Sequence, residues 1–495
     1  MSLIDVRNLN FAYEGSYDNI FENVSFRIDT DWKLGFTGRN GRGKTTFLRL
    51  LMEKYDYQGT ISASVKFEYF PYEVEDKYSN TVDIIGGILG DYQSWQLMRE
   101  LNLLEVSDDV LYRPFATLSN GEQTKVLLAA LFMRENSFLL IDEPTNHLDA
   151  SGREIVSRYL CSKKGFILVS HDRTFLDNCV DHIMSINKAN IEIQKGNFSS
   201  WWNNKELQDS FETETNVKLK KEIRRLTETA KEKAQWSDLA ERRKIGFNPS
   251  KVEKSIMRRS SEGAKAKKMM SRAKAIEERQ ASAAEEKSKL LKNLEDSDDL
   301  KLVTLKYHFD RLMELKNVSV FYATEPACSD VSFEVMQCDR IALCGKNGSG
   351  KSSILKLICG EPIDYTGGLY IGNQLIISYV SQDTSQLSGS LSDYAYNNGI
   401  DESLFKGMLR KLDFSRVQFE KDMSDFSAGQ KKKVLIAASL CQRAHLYIWD
   451  EPLNFIDVIS RMQIEKLLLE TKPTILFVEH DSAFCQNIAT KTVYL

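Results

Sequence analysis

The stretch FTGRNGRGKTTFLRLL near residue 40 returns as LCGKNGSGKSSILKLI near residue 350. Each reads as an apolar strand, the pattern G-x-x-x-x-G-K-[ST], and a helix. Three later landmarks follow in the same order. Gly38 and Lys44 recur as Gly345 and Lys351, 307 residues on; Ser119 and Asp142 recur as Ser427 and Asp450, 308 on; His171 recurs as His480, 309 on. A drift of two residues over such a span means that one domain was duplicated, which confines the chain to two copies of one α/β fold.

The repeated loop has a chemistry. Glycines let a backbone bend close to phosphate oxygens, and the N-terminus of the following helix favours an anion. Gly38, Gly41 and Gly43, then Gly345, Gly348 and Gly350, fit that demand. Lys44 and Lys351 would reach the terminal phosphates, and the hydroxyls of Thr45 and Ser352 would face Mg²⁺. Further on, LLIDEP and YIWDEP are strand-like runs ending in two acids. Asp142 and Asp450 suit the metal, and Glu143 and Glu451 suit the base or water-orienting role in phosphoryl transfer.

In this order the landmarks resemble those of ATP-binding-cassette ATPases, and the resemblance covers both ends of the chain. It implies ATP and Mg²⁺ as ligands, with Asn40, Thr46, Asn347 and Ser353 in the same loops. It also implies that LSNGEQ (Ser119, Asn120, Gly121) and FSAGQ (Ser427, Ala428, Gly429) open helices facing the γ-phosphate held by the opposite cassette. His171 and His480 look like the switch histidines, Asp149 and Asp457 like the D-loop acids, and Tyr13 and Tyr322 like the adenine-stacking aromatics. Gln382 in YVSQD matches the Q-loop glutamine, a further metal ligand, but its counterpart is Tyr72, and Asn120 replaces the usual second signature glycine. Two unequal sites are expected, both hydrolytic.

Cassettes at 1–202 and 301–495 leave a segment of about a hundred residues, 203–300, between them. From Glu206 to Arg243 it holds no Gly or Pro, and apolar residues step mostly by three and four; Ala264 to Leu294 behaves alike. A helical hairpin with its tip near 244–262 is predicted. At 1.5 Å per residue its first helix would span about 57 Å. Residues 242–274 carry a net charge of +10 in a chain of net −4. Arg242, Arg243, Lys244, Lys251, Lys254, Arg258 and Arg259, interleaved with Ile245, Phe247, Ile256 and Met257, suit contact with folded nucleic acid: cations on phosphates, apolar groups on unpaired bases. A merely solvated helix end is the plainer reading of the same charges.

Two cassettes in one chain joined by a charged helical segment look like the ABC-F proteins. Lys44 to Ser119 spans 75 positions and Lys351 to Ser427 spans 76, so no arm is inserted in the first cassette, and the chain stops 15 residues after His480. With LSNGEQTK, YFPY and SAGQKKKV, this is most similar to the Lsa-like antibiotic-resistance branch. That resemblance implies a monomer whose cassettes pair around ATP at the E site of the bacterial 70S ribosome, against rRNA and the P-site tRNA. The tip would extend toward the peptidyl-transferase centre, protect against lincosamides, pleuromutilins and streptogramin A, and leave on hydrolysis. A housekeeping ABC-F translation factor and the ATPase subunit of a drug exporter are the alternatives. No apolar run reaches the roughly 18 to 20 residues of a membrane span, and a cytoplasmic protein without a membrane partner is expected. Eight cysteines without a C-x-x-C pair are expected to be buried free thiols.

Overall fold

The computed structural model describes residues 2–13, 19–134, 136–146, 148–187, 190–245, 300, 302–322, 325–346 and 348–495. Each repeat is built on a mainly parallel sheet. In the first, strand Lys33–Thr37 lies between Phe166–Val169 and His182–Asn187, with Ser137–Asp142 and Lys66–Phe70 beyond Phe166–Val169. In the second, Arg340–Cys344 lies between Ile475–Val478 and Lys491–Tyr494, with Leu446–Asp450 and Ile377–Val380 beyond. These strands are largely apolar, Phe166–Val169 and Ile475–Val478 being buried at every residue, because helices cover both faces of a parallel sheet. A three-stranded antiparallel sheet accompanies each: Leu3–Phe11 between Phe21–Asp29 and Gln58–Ser62, and Arg311–Tyr322 between Glu325–Met336 and Asp364–Ile371. The two tandem P-loop domains expected from the repeat are present. The first sheet gains a further antiparallel strand, Asn190–Lys195, paired with His182–Asn187.

The core follows the duplication. Phe36, Phe47, Phe138 and Met184 fill the space under the first antiparallel sheet, and Leu343, Ile354, Ile448 and Leu476 do so under the second. The chain divides into two compact units, Met1–Trp201 with Ser297–Leu495, and Trp202–Asp296. Both repeats therefore belong to one unit.

A helix of 48 residues runs from Phe198 to Ile245, which at 1.5 Å per residue is about 72 Å. It starts eight residues before Glu206, because Asn197 accepts a hydrogen bond from the Ser200 N–H through its side chain, a cap placed right after Gly196. Arg242, Arg243, Lys244 and Ile245 form its last turn. The predicted tip from Phe247 onward, with Lys251, Lys254, Ile256, Met257, Arg258 and Arg259, and the second hairpin helix lie outside the described residues, as does Asn347. The eight cysteines are free; Cys179 and Cys328 are buried, whereas Cys161 and Cys338 are exposed, contrary to expectation, since each sits beside a turn rather than within a strand.

Candidate nucleotide sites

Parallel register brings the reactive side chains to one edge of each sheet. Asp142 pairs with Val169 and Asp450 with Val478, so the residues just beyond, Glu143 with His171 and Glu451 with His480, emerge side by side at the strand ends. Both glutamates have left-handed backbones, φ 52° at Glu143 and 47° at Glu451. That conformation is uncommon for a residue with a side chain and turns each carboxylate out of the strand line into the site. His171 Nε2 lies 3.0 Å from Glu143 Oε1, and His480 Nε2 lies 3.2 Å from Glu451 Oε1.

The phosphate loops begin where Lys33–Thr37 and Arg340–Cys344 end. Gly43 (φ 91°) and Gly350 (φ 86°) precede helices Lys44–Leu51 and Lys351–Ile358. A Cβ at Gly43 would lie 2.5 Å from the Ile20 side chain, and one at Gly350 would lie 2.8 Å from the Ala327 carbonyl, so both positions demand glycine. Lys44 Nζ donates to the carbonyls of Gly38 (2.8 Å) and Arg39 (3.2 Å), and Lys351 Nζ to those of Gly345 (3.0 Å) and Lys346 (2.8 Å). Burial pushes both lysines below their ordinary pKa, opposed chiefly by Asp457 at Lys44 and by Glu451 at Lys351.

The residues fit Mg²⁺. Thr45 Oγ1 donates to Asp142 at 2.9 Å and Ser352 Oγ to Asp450 at 3.2 Å, so each hydroxyl and carboxylate converge on one point. Burial, reinforced by the neighbouring glutamate, raises the pKa of Asp142 and Asp450, which a bound cation would offset. When bound there, Mg²⁺ neutralises charge on the terminal phosphates. Burial also acts to raise Glu143 and Glu451, but it is outweighed. His171 and Lys44 hold Glu143 below the usual carboxylate range, and His480 and Lys432 do so for Glu451. Both Glu143 oxygens are buried without a well-formed hydrogen bond, which suits an ionised carboxylate that orients water.

Ser119 and Ser427 cap the helices Asn120–Phe132 and Ala428–Cys441 through reciprocal boxes with Glu122 and Gln430. Their partners lie across the repeat boundary. A cavity of about 1150 Å³ is lined on one side by Ser119, Asn120 and Gly121, and on the other by Tyr322, Gly348, Lys351, Ser352, Ser353, Gln382, Glu451 and His480. The second phosphate loop thus faces the first signature. Conversely, a Cβ at Gly429 would meet Asn40 Nδ2 at 2.9 Å, and Asn40 donates to the Phe455 carbonyl at 2.7 Å. The first loop faces the second signature, held closely. Tyr13 differs from Tyr322 in that its hydroxyl meets Thr46 Oγ1 at 2.7 Å and its ring packs edge-on against Phe11 and Tyr55.

A sequence model of the ABC transporter family matches residues 21–146 and again 328–454, just over half of the chain. The chain belongs to the ABC transporter family. Its two tandem ATP-binding cassettes make it an ATPase of that family. Similar curated proteins include the ATP-binding protein Uup of Buchnera aphidicola (25% identical, covering 99% of this chain and 80% of the relative) and the ribosome protection protein VmlR of Bacillus subtilis (26%, 97% and 84%). Among solved structures, the archaeal ribosome recycling factor aABCE1, in complex with stalk protein aP1, shares the fold (16% identity, TM-score 0.61, covering 98% of this chain and 87% of that one). Among the described residues no helix is long and apolar enough to cross a membrane.

Several cassette residues escape a reading by motif. The Tyr69 hydroxyl donates to Asp142 at 2.9 Å, while Tyr72, at the Q-loop position, turns its hydroxyl to Glu68 at 3.3 Å. Lys432 Nζ donates to the Ser381 carbonyl (2.9 Å), and Lys433 Nζ to Asp457 (2.7 Å); both lysines are 3% exposed. The run QKKKV carries a usable signal, since on a signature helix packed against a sheet its second and third lysines fall on the inner face.

Proposed function

We propose that this ATPase is an ABC-F protein of the Lsa-like branch that protects the bacterial 70S ribosome from lincosamides, pleuromutilins and streptogramin A. The observation that carries the reading is the 48-residue helix that leaves the first cassette and ends in Arg242, Arg243, Lys244 and Ile245, the start of a segment of net charge +10. A cassette has no need of such an element for its own packing. Cations in such a segment would neutralise phosphates, and Ile245, Phe247, Ile256 and Met257, interleaved with them in the sequence, are of the residue types that pack on unpaired bases. The similarity to VmlR, named as a ribosome protection protein, supports the same partner.

In this reading ATP binds the paired cassettes more tightly than the separated ones and so favours the ribosome-competent form, because a ligand shifts an equilibrium only by its differential affinity. Lys44 and Lys351 hold the phosphates, Ser119 and Gly121 or Ser427 and Gly429 close over them, and Tyr13 and Tyr322 lie by the base. Bound in the cytoplasm at the E site beside the P-site tRNA, the protein would extend residues 244–262 toward the peptidyl-transferase centre. Hydrolysis, with Glu143 and Glu451 orienting water beside His171 and His480, would release it. Co-sedimentation with 70S ribosomes tests this: ATP should be required, and the Glu143→Gln, Glu451→Gln double variant should remain bound. Binding that is indifferent to ATP and to both substitutions would refute it.

A further inference from the structure

The two phosphate loops differ in what faces them. Arg39 and Arg42 flank Gly41 in the first loop; the equivalent positions in the second are Lys346 and Ser349. Asp413, just past helix Glu402–Lys411 of the second cassette, places Oδ1 at 3.3 Å from Arg42 Nη2 and 3.7 Å from Arg39 Nη1. Its backbone is left-handed, φ 68°, which turns the side chain back over the helix end toward the other cassette. Phe455 is left-handed as well, φ 64°, and its carbonyl accepts from Asn40 between the two arginines. Two non-glycine residues of uncommon conformation thus grip one loop. The counterpart of Asp413 is Glu105, also left-handed (φ 54°), but it pairs with Arg158 of its own cassette at 3.1 Å and lines the 1150 Å³ cavity instead.

We propose that Asp413 is a positioning residue that latches the second cassette onto the Arg39–Arg42 phosphate loop and thereby slows nucleotide exchange at the Lys44 site relative to the Lys351 site. Exchange requires the cassettes to part there, and parting breaks both the Asp413 ion pairs and the Asn40 bond. Among the described residues Glu105 makes its ion pair with Arg158 of its own cassette and not with the second loop, so the Asp413 bridge between cassettes has no counterpart there.

Release of a fluorescent ADP analogue from the full-length protein, without ribosomes, tests the latch independently of the proposed function. In a Lys351→Ala background, where the Lys44 site alone is filled, Asp413→Asn should speed release by about threefold to fivefold, the range of a partly exposed ion pair. Raising salt should speed release more when Asp413 is present than in the Asp413→Asn variant, a difference that a packing defect does not produce. Asp413→Glu should restore slow release. Equal release rates with and without the Asp413→Asn substitution at every salt concentration, or failure of Asp413→Glu to restore slow release in folded protein, would overturn the proposal.

Discussion

The side-chain amide of Gln382 donates a 2.9 Å hydrogen bond to Glu451, tying the end of one strand to the acid that ends its neighbour. In the first cassette Tyr72 stands in that place and turns away to Glu68, while Tyr69 takes hold of Asp142. The two sites therefore depend on different residues. A hydrogen bond to a charged group contributes about 1.5–3 kcal/mol, so Gln382→Ala should slow single-turnover hydrolysis at the Lys351 site by about tenfold to a hundredfold. Tyr72→Phe should change the Lys44 site by less than about twofold. Measuring each in a background with the other site's lysine replaced separates them; equal effects would remove the asymmetry.

Glu143 and Glu451, proposed to orient the attacking water, each face a histidine that helps to hold the carboxyl below its ordinary pKa. Each Glu→Gln change should lower hydrolysis at its own site by about 10²–10⁴-fold, the usual contribution of such a group, while nucleotide affinity stays within about twofold. Since both carboxyls titrate below the ordinary glutamate value of 4.5, neither should contribute an inflection to the rate between about pH 6 and 8. Rate profiles of wild type and of the single variants check this, and an inflection lost only on Glu→Gln would contradict it.

Lys433 and Asp457 form an ion pair at 2.7 Å with side chains 4% and 0% exposed. Burial alone would raise the Asp457 pKa, but the Lys433 charge and hydrogen bond and the Ser460 N–H outweigh it and hold the carboxyl well below the usual range. A lowered folded pKa contributes stability above the unfolded value of 3.8, lost as pH falls through that value toward the folded one. Asp457→Asn leaves a buried ammonium unpaired and should cost about 3–5 kcal/mol at pH 7. Thermal melts should show the difference shrinking below about pH 4; a constant difference would mean that the pair is not the cause.

The duplication, both glycine-rich loops, the paired acids and the histidines that face them are legible in the sequence because each needs particular residue types at fixed spacing beside an apolar strand. The left-handed backbones of Glu143 and Glu451 are not, since no composition rule marks a non-glycine residue at positive φ. Nor are Tyr69 on Asp142 or Asp413 on Arg42, which tertiary packing alone brings together. QKKKV taken alone reads as a solvated charge run, and only its place on a signature helix packed against a sheet marks the buried Lys432 and Lys433 as inner-face residues. The helix start at Phe198 is obscured by two tryptophans that resemble cassette packing, although Asn197 after Gly196 is a readable cap.

Residues 244–262 are proposed to act on the ribosome and not on ATP. Replacing them with a short Gly/Ser turn should leave ribosome-free ATP turnover within about twofold, since none of the proposed nucleotide-binding residues lies among them, and should abolish drug protection. Comparing ATPase rates with growth in a lincosamide checks both halves; undiminished protection would leave the basic tip without a role.

Cell-free translation by ribosomes of a Gram-positive host, inhibited by a lincosamide or a pleuromutilin, tests the central claim most directly, because no membrane is present. Purified protein with ATP should restore synthesis, and the Glu143→Gln, Glu451→Gln variant should not sustain it over repeated rounds. Ribosome binding in the same reactions without any rescue would contradict ribosome protection and favour a translation factor of the same family.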